Sequence, residues 1–187
     1  MISYLKKNLS TVLLFVMLAL LLIPQTGTPI RVFFNRLISF SPSIMNEEKR
    51  PIVENYYWPL ATMEGKELNF SQSENRVVVL NVWATWCPPC IAEMPSLQNL
   101  FNEMGNEVDF YFVSSENPIT VKRFLQKKGY DLPVYSPMGS MPKELETGSL
   151  PTTYLIAANG EVFIKKIGAA DWDSDKVKDL IKSLKTL

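Results

Sequence analysis

The sequence predicts one α/β domain with a mixed central sheet flanked by helices, and three features carry this prediction. Residues 77–83 form a continuous β-branched and apolar run, typical of a strand buried on both faces of a sheet. Residues 89–104 follow with apolar side chains at the spacing of an amphipathic helix. Residues 152–157 and 161–166 flank an Asn-Gly pair, the usual turn of a β-hairpin. The length of 187 residues suits one such domain with a short appendage.

The remaining elements follow in order along the chain. The pattern predicts an N-terminal hairpin of residues 58–62 and 66–70, a second central strand at 108–113, a helix at 119–128 and a final helix at 173–187. Because helices alternate with strands, we expect helices on both faces of the sheet.

Composition excludes several kinds of site. The chain has no histidine, which removes Ser-His-Asp and Cys-His catalysis and every His-ligated zinc or haem site. Its two cysteines, Cys87 and Cys90, are too few for a four-cysteine metal site in one chain. Lysine and arginine total 19 and so do aspartate and glutamate, which gives no case for nucleic-acid binding. We expect no metal and no organic cofactor.

The N-terminal segment is predicted to be a membrane anchor. Residues 1–36 hold four basic residues and no acidic one, and residues 9–23 are almost wholly apolar. Extended over residues 8–28, this run is long enough to cross a bilayer as one helix. The absence of a small-residue cleavage pattern after it favours an uncleaved anchor over a cleaved signal peptide. Lys6 and Lys7 precede the run, which favours a cytoplasmic N-terminus and a body outside.

These patterns divide the chain into three parts. Residues 1–40 are assigned to a cytoplasmic stub, the anchor and a juxtamembrane segment, which is either a helix at the membrane surface or a stalk. Residues 41–55 carry two prolines and mixed charge and are assigned to a linker. Residues 56–187 are assigned to the α/β domain.

The two cysteines carry the predicted chemistry. Cys87 and Cys90 lie where a buried strand gives way to a helix, and a helix N-terminus stabilises a thiolate. A structural staple is the simpler alternative, but closing so short a loop constrains the unfolded chain little. The pair could also be half of a zinc site shared with another chain, but nothing else in the sequence supports such a site. A C-x-x-C pair at this position therefore indicates redox exchange.

The residues around the pair carry a family resemblance. Residues 79–90 are Val-Leu-Asn-Val-Trp-Ala-Thr-Trp-Cys-Pro-Pro-Cys, residues 93–95 are Glu-Met-Pro, and residues 150–156 are Leu-Pro-Thr-Thr-Tyr-Leu-Ile. This set resembles the membrane-anchored, extracytoplasmic thioredoxin-like proteins of the TlpA/ResA/CcmG group. The resemblance covers about residues 56–187 and implies a thioredoxin-like fold, with a central insertion at residues 117–135.

The resemblance also implies roles for individual residues. Cys87 corresponds to the attacking thiol and Cys90 to the resolving thiol. Pro151 corresponds to a cis-proline that faces the pair, and Leu150 to the residue whose backbone bonds an incoming extended chain. From the sequence alone, Pro151 is equally an ordinary strand-entry proline, since few X–Pro bonds are cis.

Three further residues complete the expected site. Trp86 and Pro88 are expected on the substrate-facing surface. Glu93 follows Cys90 by three residues, and a partly buried carboxylate there would exchange the resolving thiol's proton. Spacing alone favours a solvated glutamate near a helix N-terminus, whereas the family's Glu-x-Pro context favours proton transfer. Asn81 stands where cytoplasmic thioredoxin has a buried aspartate, which leaves Glu93 as the acid in that role.

The leading hypothesis is a thiol–disulfide oxidoreductase held in a bacterial inner membrane, with its domain on the periplasmic side. It would reduce selected substrate proteins that carry cysteine pairs, as in cytochrome c maturation, and be re-reduced by a membrane electron donor. A disulfide oxidant or isomerase is the first alternative, although Pro88 and Pro89 place no positive charge between the thiols. A non-catalytic thioredoxin-fold binding module is the second.

Overall fold

A computed structural model describes residues 40–185. Its strands are β1 (Pro59–Thr62), β2 (Glu67–Asn69), β3 (Val78–Val82), β4 (Asp109–Val113), β5 (Val134–Pro137), β6 (Thr152–Ile156) and β7 (Val162–Ile167). Its α-helices are α1 (Pro88–Met104), α2 (Pro118–Lys128) and α3 (Asp175–Leu184), and 3-10 turns form at Glu47–Lys49, Phe70–Ser73 and Lys143–Leu145. Within residues 40–185 no helix is long and apolar enough to cross a membrane, and the predicted anchor lies outside the described residues.

The seven strands form one mixed sheet in the order β2-β1-β5-β4-β3-β6-β7. β3 is an interior strand, parallel to β4 and antiparallel to β6, and its first four residues are buried. The prediction of a central strand buried on both faces is therefore confirmed. The C-terminal ends of β3 and β4 meet at one edge of the sheet, and the loops that follow them carry the cysteine pair and Glu116.

The three α-helices cover only one face of the sheet. Apart from Ala92 and Glu93, their buried side chains belong to one core cluster, with Val79 and Phe112 of the sheet. Among residues 40–185, the cluster on the other face contains no α-helical residue and is built around Trp58, Phe70 and Leu145. The expectation of helices on both faces is therefore wrong for the α-helices. The chain steps from β3 to β4 to β5 in one direction, and right-handed crossovers place α1 and α2 on the same side.

Residues 41–55, which the sequence assigned to a linker, run along the outer edge of β7. The amide of Met45 donates to the carbonyl of Phe163 at 2.8 Å, and the amide of Val162 donates to Pro51 at 2.9 Å. Val53 is buried in the second core cluster. Residues 40–53, called the N-terminal strap below, thus cover an edge strand whose backbone groups would otherwise lack partners.

Candidate active site

The cysteine pair lies at the N-terminus of α1. Cys87 is the cap residue of the helix, and its Sγ accepts a hydrogen bond from the amide of Cys90 at 3.3 Å. The two residues form a disulfide, with Cα atoms 5.2 Å apart. Pro88 occupies the first helical position, where a missing N–H costs least. On reduction, a Cys87 thiolate would face the unpaired N–H groups and the positive end of the helix dipole.

The surface beside the pair is partly apolar. Trp86 is 69% exposed, whereas Cys87 is only 3% exposed and Cys90 is buried. Pro88 is half-buried beside them. A partner chain that reaches Cys87 would therefore meet an indole ring next to the sulfur.

The Leu150–Pro151 peptide bond is cis, as the resemblance implied. The next residue, Thr152, pairs with Val82, the last residue of β3. This register places Pro151 beside the point where the chain leaves the sheet toward Cys87. No residue within 40–185 forms a backbone hydrogen bond with the amide or carbonyl of Leu150.

Glu93 is fully buried, with 1% of its surface exposed, which contradicts the solvated alternative. Its Oε1 accepts from Asn81 Nδ2 at 2.9 Å. Its Oε2 accepts from Trp172 Nε1 at 3.1 Å and from the amide of Ala170 at 3.3 Å. Burial raises the pKa of Glu93 to about 8, although the hydrogen bonds from Trp172 and Asn81 oppose the rise. The carboxyl group therefore keeps its proton to a much higher pH than an ordinary glutamate does.

A second carboxylate holds the loop that precedes the pair. Glu116 accepts from the amide of Thr85 at 2.5 Å and from its hydroxyl at 2.8 Å. Thr85 stands two residues before Cys87, and Glu116 lies in the loop after β4. Nothing in the sequence pattern indicated this contact, because the two residues belong to different loops that only the parallel pairing of β3 and β4 brings together.

Sequence analysis also missed the partners of Glu93 on the last loop. Ala170 and Trp172 lie between β7 and α3, in a stretch without a motif. The other two partners lie in quoted motifs: Asn81 belongs to residues 79–90, and Thr153, which donates to Glu93 Oε1 at 3.5 Å, belongs to the Leu-Pro-Thr-Thr-Tyr stretch. Among the described residues, no group of three or more cysteine and carboxylate side chains is arranged to hold a metal ion.

Comparison with known proteins places this chain in a family. The Redoxin family model matches residues 41–184. Thiol-disulfide oxidoreductase ResA of Halalkalibacterium halodurans is 30% identical over 129 residues, which cover 67% of this chain and 72% of the relative. Sporulation thiol-disulfide oxidoreductase A of Bacillus subtilis is 30% identical over 139 residues, which cover 71% of this chain and 83% of the relative.

Solved structures share the fold. StoA from Bacillus subtilis superposes with a TM-score of 0.55 at 24% identity, over 71% of this chain and 98% of that one. A DsbF homologue from Corynebacterium diphtheriae superposes with a TM-score of 0.55 at 20% identity, over 79% of this chain and 93% of that one. The thioredoxin-like fold predicted for the domain is therefore confirmed.

Proposed function

The chain belongs to the Redoxin family, in its group of TlpA/ResA/CcmG-like thiol–disulfide oxidoreductases, and from this premise we propose that it reduces disulfides of selected extracytoplasmic proteins. One observation carries the proposal: a cysteine pair caps a helix, and a buried acid lies one turn further along the same helix. The pair supplies two electrons, and Glu93 supplies a site for the proton that must leave the second thiol.

The first step is attack by the Cys87 thiolate on one sulfur of a substrate disulfide. A bond forms between Cys87 Sγ and that sulfur, the substrate disulfide breaks, and the other substrate sulfur leaves as a thiolate that takes a proton from water. The helix N-terminus favours the Cys87 thiolate. We infer that the cis peptide at Pro151 and the backbone groups of Leu150 hold the substrate as an added extended segment.

The second step is resolution by Cys90. Its thiol transfers a proton to the Glu93 carboxylate, and the Cys90 thiolate then attacks Cys87 Sγ. The Cys87–Cys90 disulfide forms, and the second substrate sulfur leaves as a thiolate. The substrate gains two electrons and the cysteine pair loses two. A pKa of about 8 suits this role, since a group that titrates near the working pH both accepts and returns a proton.

The anchor and the electron donor belong to the same proposal. The apolar run at residues 9–23, with Lys6 and Lys7 before it, supports a single-pass anchor with the domain on the periplasmic side of a bacterial inner membrane. A reductase outside the cytoplasm needs re-reduction, so we propose a membrane electron donor, and apocytochrome c as one substrate class. Membrane fractionation of the full-length chain tests the anchor, because a shortened soluble form would contradict it.

The direction of transfer is tested by the reduction potential of the Cys87–Cys90 couple, measured in the full-length protein against glutathione. A value near about −270 mV, that of thioredoxin, is expected of a reductase. A value near about −120 mV would make the protein an oxidant. In parallel, a Cys90→Ser variant should accumulate a mixed disulfide between Cys87 and its substrates, while Cys87→Ser should not. Equal trapping by both variants would contradict the assigned order of attack.

A further inference from the structure

Trp172 makes a contact that the proposed reaction does not yet use. Its side chain is fully buried, and its Nε1–H donates to Glu93 Oε2 at 3.1 Å. The amide of Ala170 donates to the same oxygen. Both groups are donors only, because neither an indole N–H nor a backbone N–H has a lone pair to offer. A proton on Oε2 would therefore face two other hydrogens.

The opposite oxygen has a different environment. Glu93 Oε1 accepts from Asn81 Nδ2 at 2.9 Å and from the hydroxyl of Thr153 at 3.5 Å, and unlike an N–H group this hydroxyl can turn to become an acceptor. A hydroxyl oxygen accepts as well as donates, and Thr153 Oγ1 already accepts from Asn81 Nδ2 at 2.7 Å. With its second lone pair it can receive a proton carried on Oε1. The two oxygens of this carboxyl group are thus chemically distinct.

The loop that carries Trp172 is held in place from two sides. The backbone amide of Trp172 donates to Ser96 Oγ at 3.2 Å, and Ser96 belongs to α1. The amide of Asp171 donates to the carbonyl of Phe40, at the start of the N-terminal strap, at 3.1 Å. These two hydrogen bonds fix the backbone around Trp172, and its indole N–H lies in hydrogen-bond contact with the Glu93 carboxyl group.

We propose that Trp172 is a positioning residue that keeps Glu93 Oε2 a hydrogen-bond acceptor, so that the proton exchanged with Cys90 is carried on Oε1. This inference rests on the proposed function, which makes the Cys90 thiol the source of the proton. The electrostatic consequence is that the indole stabilises the ionised carboxylate, as a donor to a charged acceptor does.

Few other charges bear on this carboxyl group. Its contacts from β3, β6 and the last loop are neutral amide, hydroxyl, N–H and indole groups. On its own helix the neighbouring titratable group is Cys90, which does not titrate within the disulfide. On the last loop, Asp171 and Asp173 flank Trp172, and Asp173 pairs with Lys178 of α3 at 2.8 Å. In the oxidised protein a carboxyl group that titrates near pH 8 is therefore assigned to Glu93.

The test compares Trp172→Phe with Trp58→Phe in the oxidised full-length protein. Trp58 is a matched control, since it is equally buried and its Nε1 donates to the carbonyl of Gly139 at the same distance of 3.1 Å. Carbon-detected NMR gives the pKa of Glu93, and difference infrared spectroscopy gives the C=O stretch of its protonated form. Trp172→Phe should raise the pKa by about one pH unit and raise the stretching frequency, because a donor to the carbonyl is lost. Trp58→Phe should change neither.

Unchanged values in a folded Trp172→Phe variant, or equal changes in both variants, would overturn the proposal. If Trp172→Phe fails to fold, an NMR titration of the native protein still tests the proposal. The indole ¹⁵N–¹H resonance of Trp172 should move with the titration of Glu93 and that of Trp58 should not; a Trp172 resonance that stays fixed overturns the proposal. The rate at which Cys90 resolves the mixed disulfide distinguishes the proposed role of Trp172 from the proposed role of Glu93. If the Glu93 pKa moves but the pH dependence of resolution does not, Trp172 keeps its role and Glu93 loses its own.

Discussion

Asn81 donates from Nδ2 to Oε1 of Glu93 at 2.9 Å, and this contact joins the C-terminal part of β3 to the second turn of α1. No cation contacts the carboxyl group among the described residues; its partners are neutral donors. Loss of water therefore outweighs the hydrogen bonds, and the pKa of Glu93 rises to about 8. The acid is tuned by burial rather than by an opposing charge.

Glu93→Gln should remove most of the pH dependence of stability between pH 4.5 and 8. The ordinary pKa of 4.5 applies in the unfolded chain, whereas the folded chain holds the proton up to about pH 8. The folded state therefore binds more protons in this window, and its free energy of unfolding falls as pH rises. The fall is on the order of 5 kcal/mol for the native protein.

Urea unfolding at several pH values measures how the free energy of unfolding changes with pH, in the oxidised native protein and in the oxidised Glu93→Gln variant. Glu93→Gln should be less stable at low pH, because its amide places an N–H group against donors, yet its curve should be nearly flat. Parallel curves for the two proteins would show that Glu93 does not carry the raised pKa.

Asn81→Asp should create a second acid in hydrogen-bond contact with Glu93. Two carboxyl groups at this distance cannot both ionise inside the protein, so one pKa of the pair should rise further. We expect the variant to lose about 3 kcal/mol more stability than the native protein between pH 5 and 9. Asn102→Asp, on the exposed side of α1, is the control and should change stability by less than about 0.5 kcal/mol. Equal pH responses of the two variants would contradict the prediction.

The proposed reacting residues could be chosen from the sequence, whereas several of their partners in the structure could not. Cys87, Cys90 and Glu93 lie on one helix, so their relation follows from spacing alone. Pro151 came from a motif, and its cis peptide agrees with the expectation. Trp172 and Glu116 reach the site from loops distant in sequence, and no local pattern encodes such contacts. The side of the sheet occupied by α2 also depends on strand order, which periodicity does not reveal.

Glu116→Gln should loosen the loop before Cys87. The carboxylate accepts both the amide and the hydroxyl of Thr85, whereas an amide side chain offers one acceptor and turns its N–H group toward a donor. We expect a loss of about 2 kcal/mol in stability and slower reaction of the Cys87 thiol with a model disulfide. Thr85→Val, which keeps the backbone donor, should show a smaller loss of about 1 kcal/mol.

Thermal unfolding and stopped-flow thiol exchange measure these two effects. Asp109→Asn is the matched control, because Asp109 also accepts two donors, Arg76 and Ser73, but lies at the opposite end of the sheet. It should lower stability without changing the exchange rate. A Glu116→Gln variant that exchanges at the native rate would show that the loop does not depend on this contact.

Val53→Ala should destabilise the whole domain if the N-terminal strap is part of its folding unit. Val53 is buried with Tyr56 and Trp58 on the face of the sheet without α-helices, and its amide donates to Gly160 at 2.9 Å. Removing two buried methyl groups should cost about 2 kcal/mol and leave one unfolding transition. Ile52→Ala, at the exposed neighbouring position, should cost less than about 0.5 kcal/mol. If Val53→Ala unfolds at the native midpoint, or in two transitions, the strap is attached to the domain without sharing its stability.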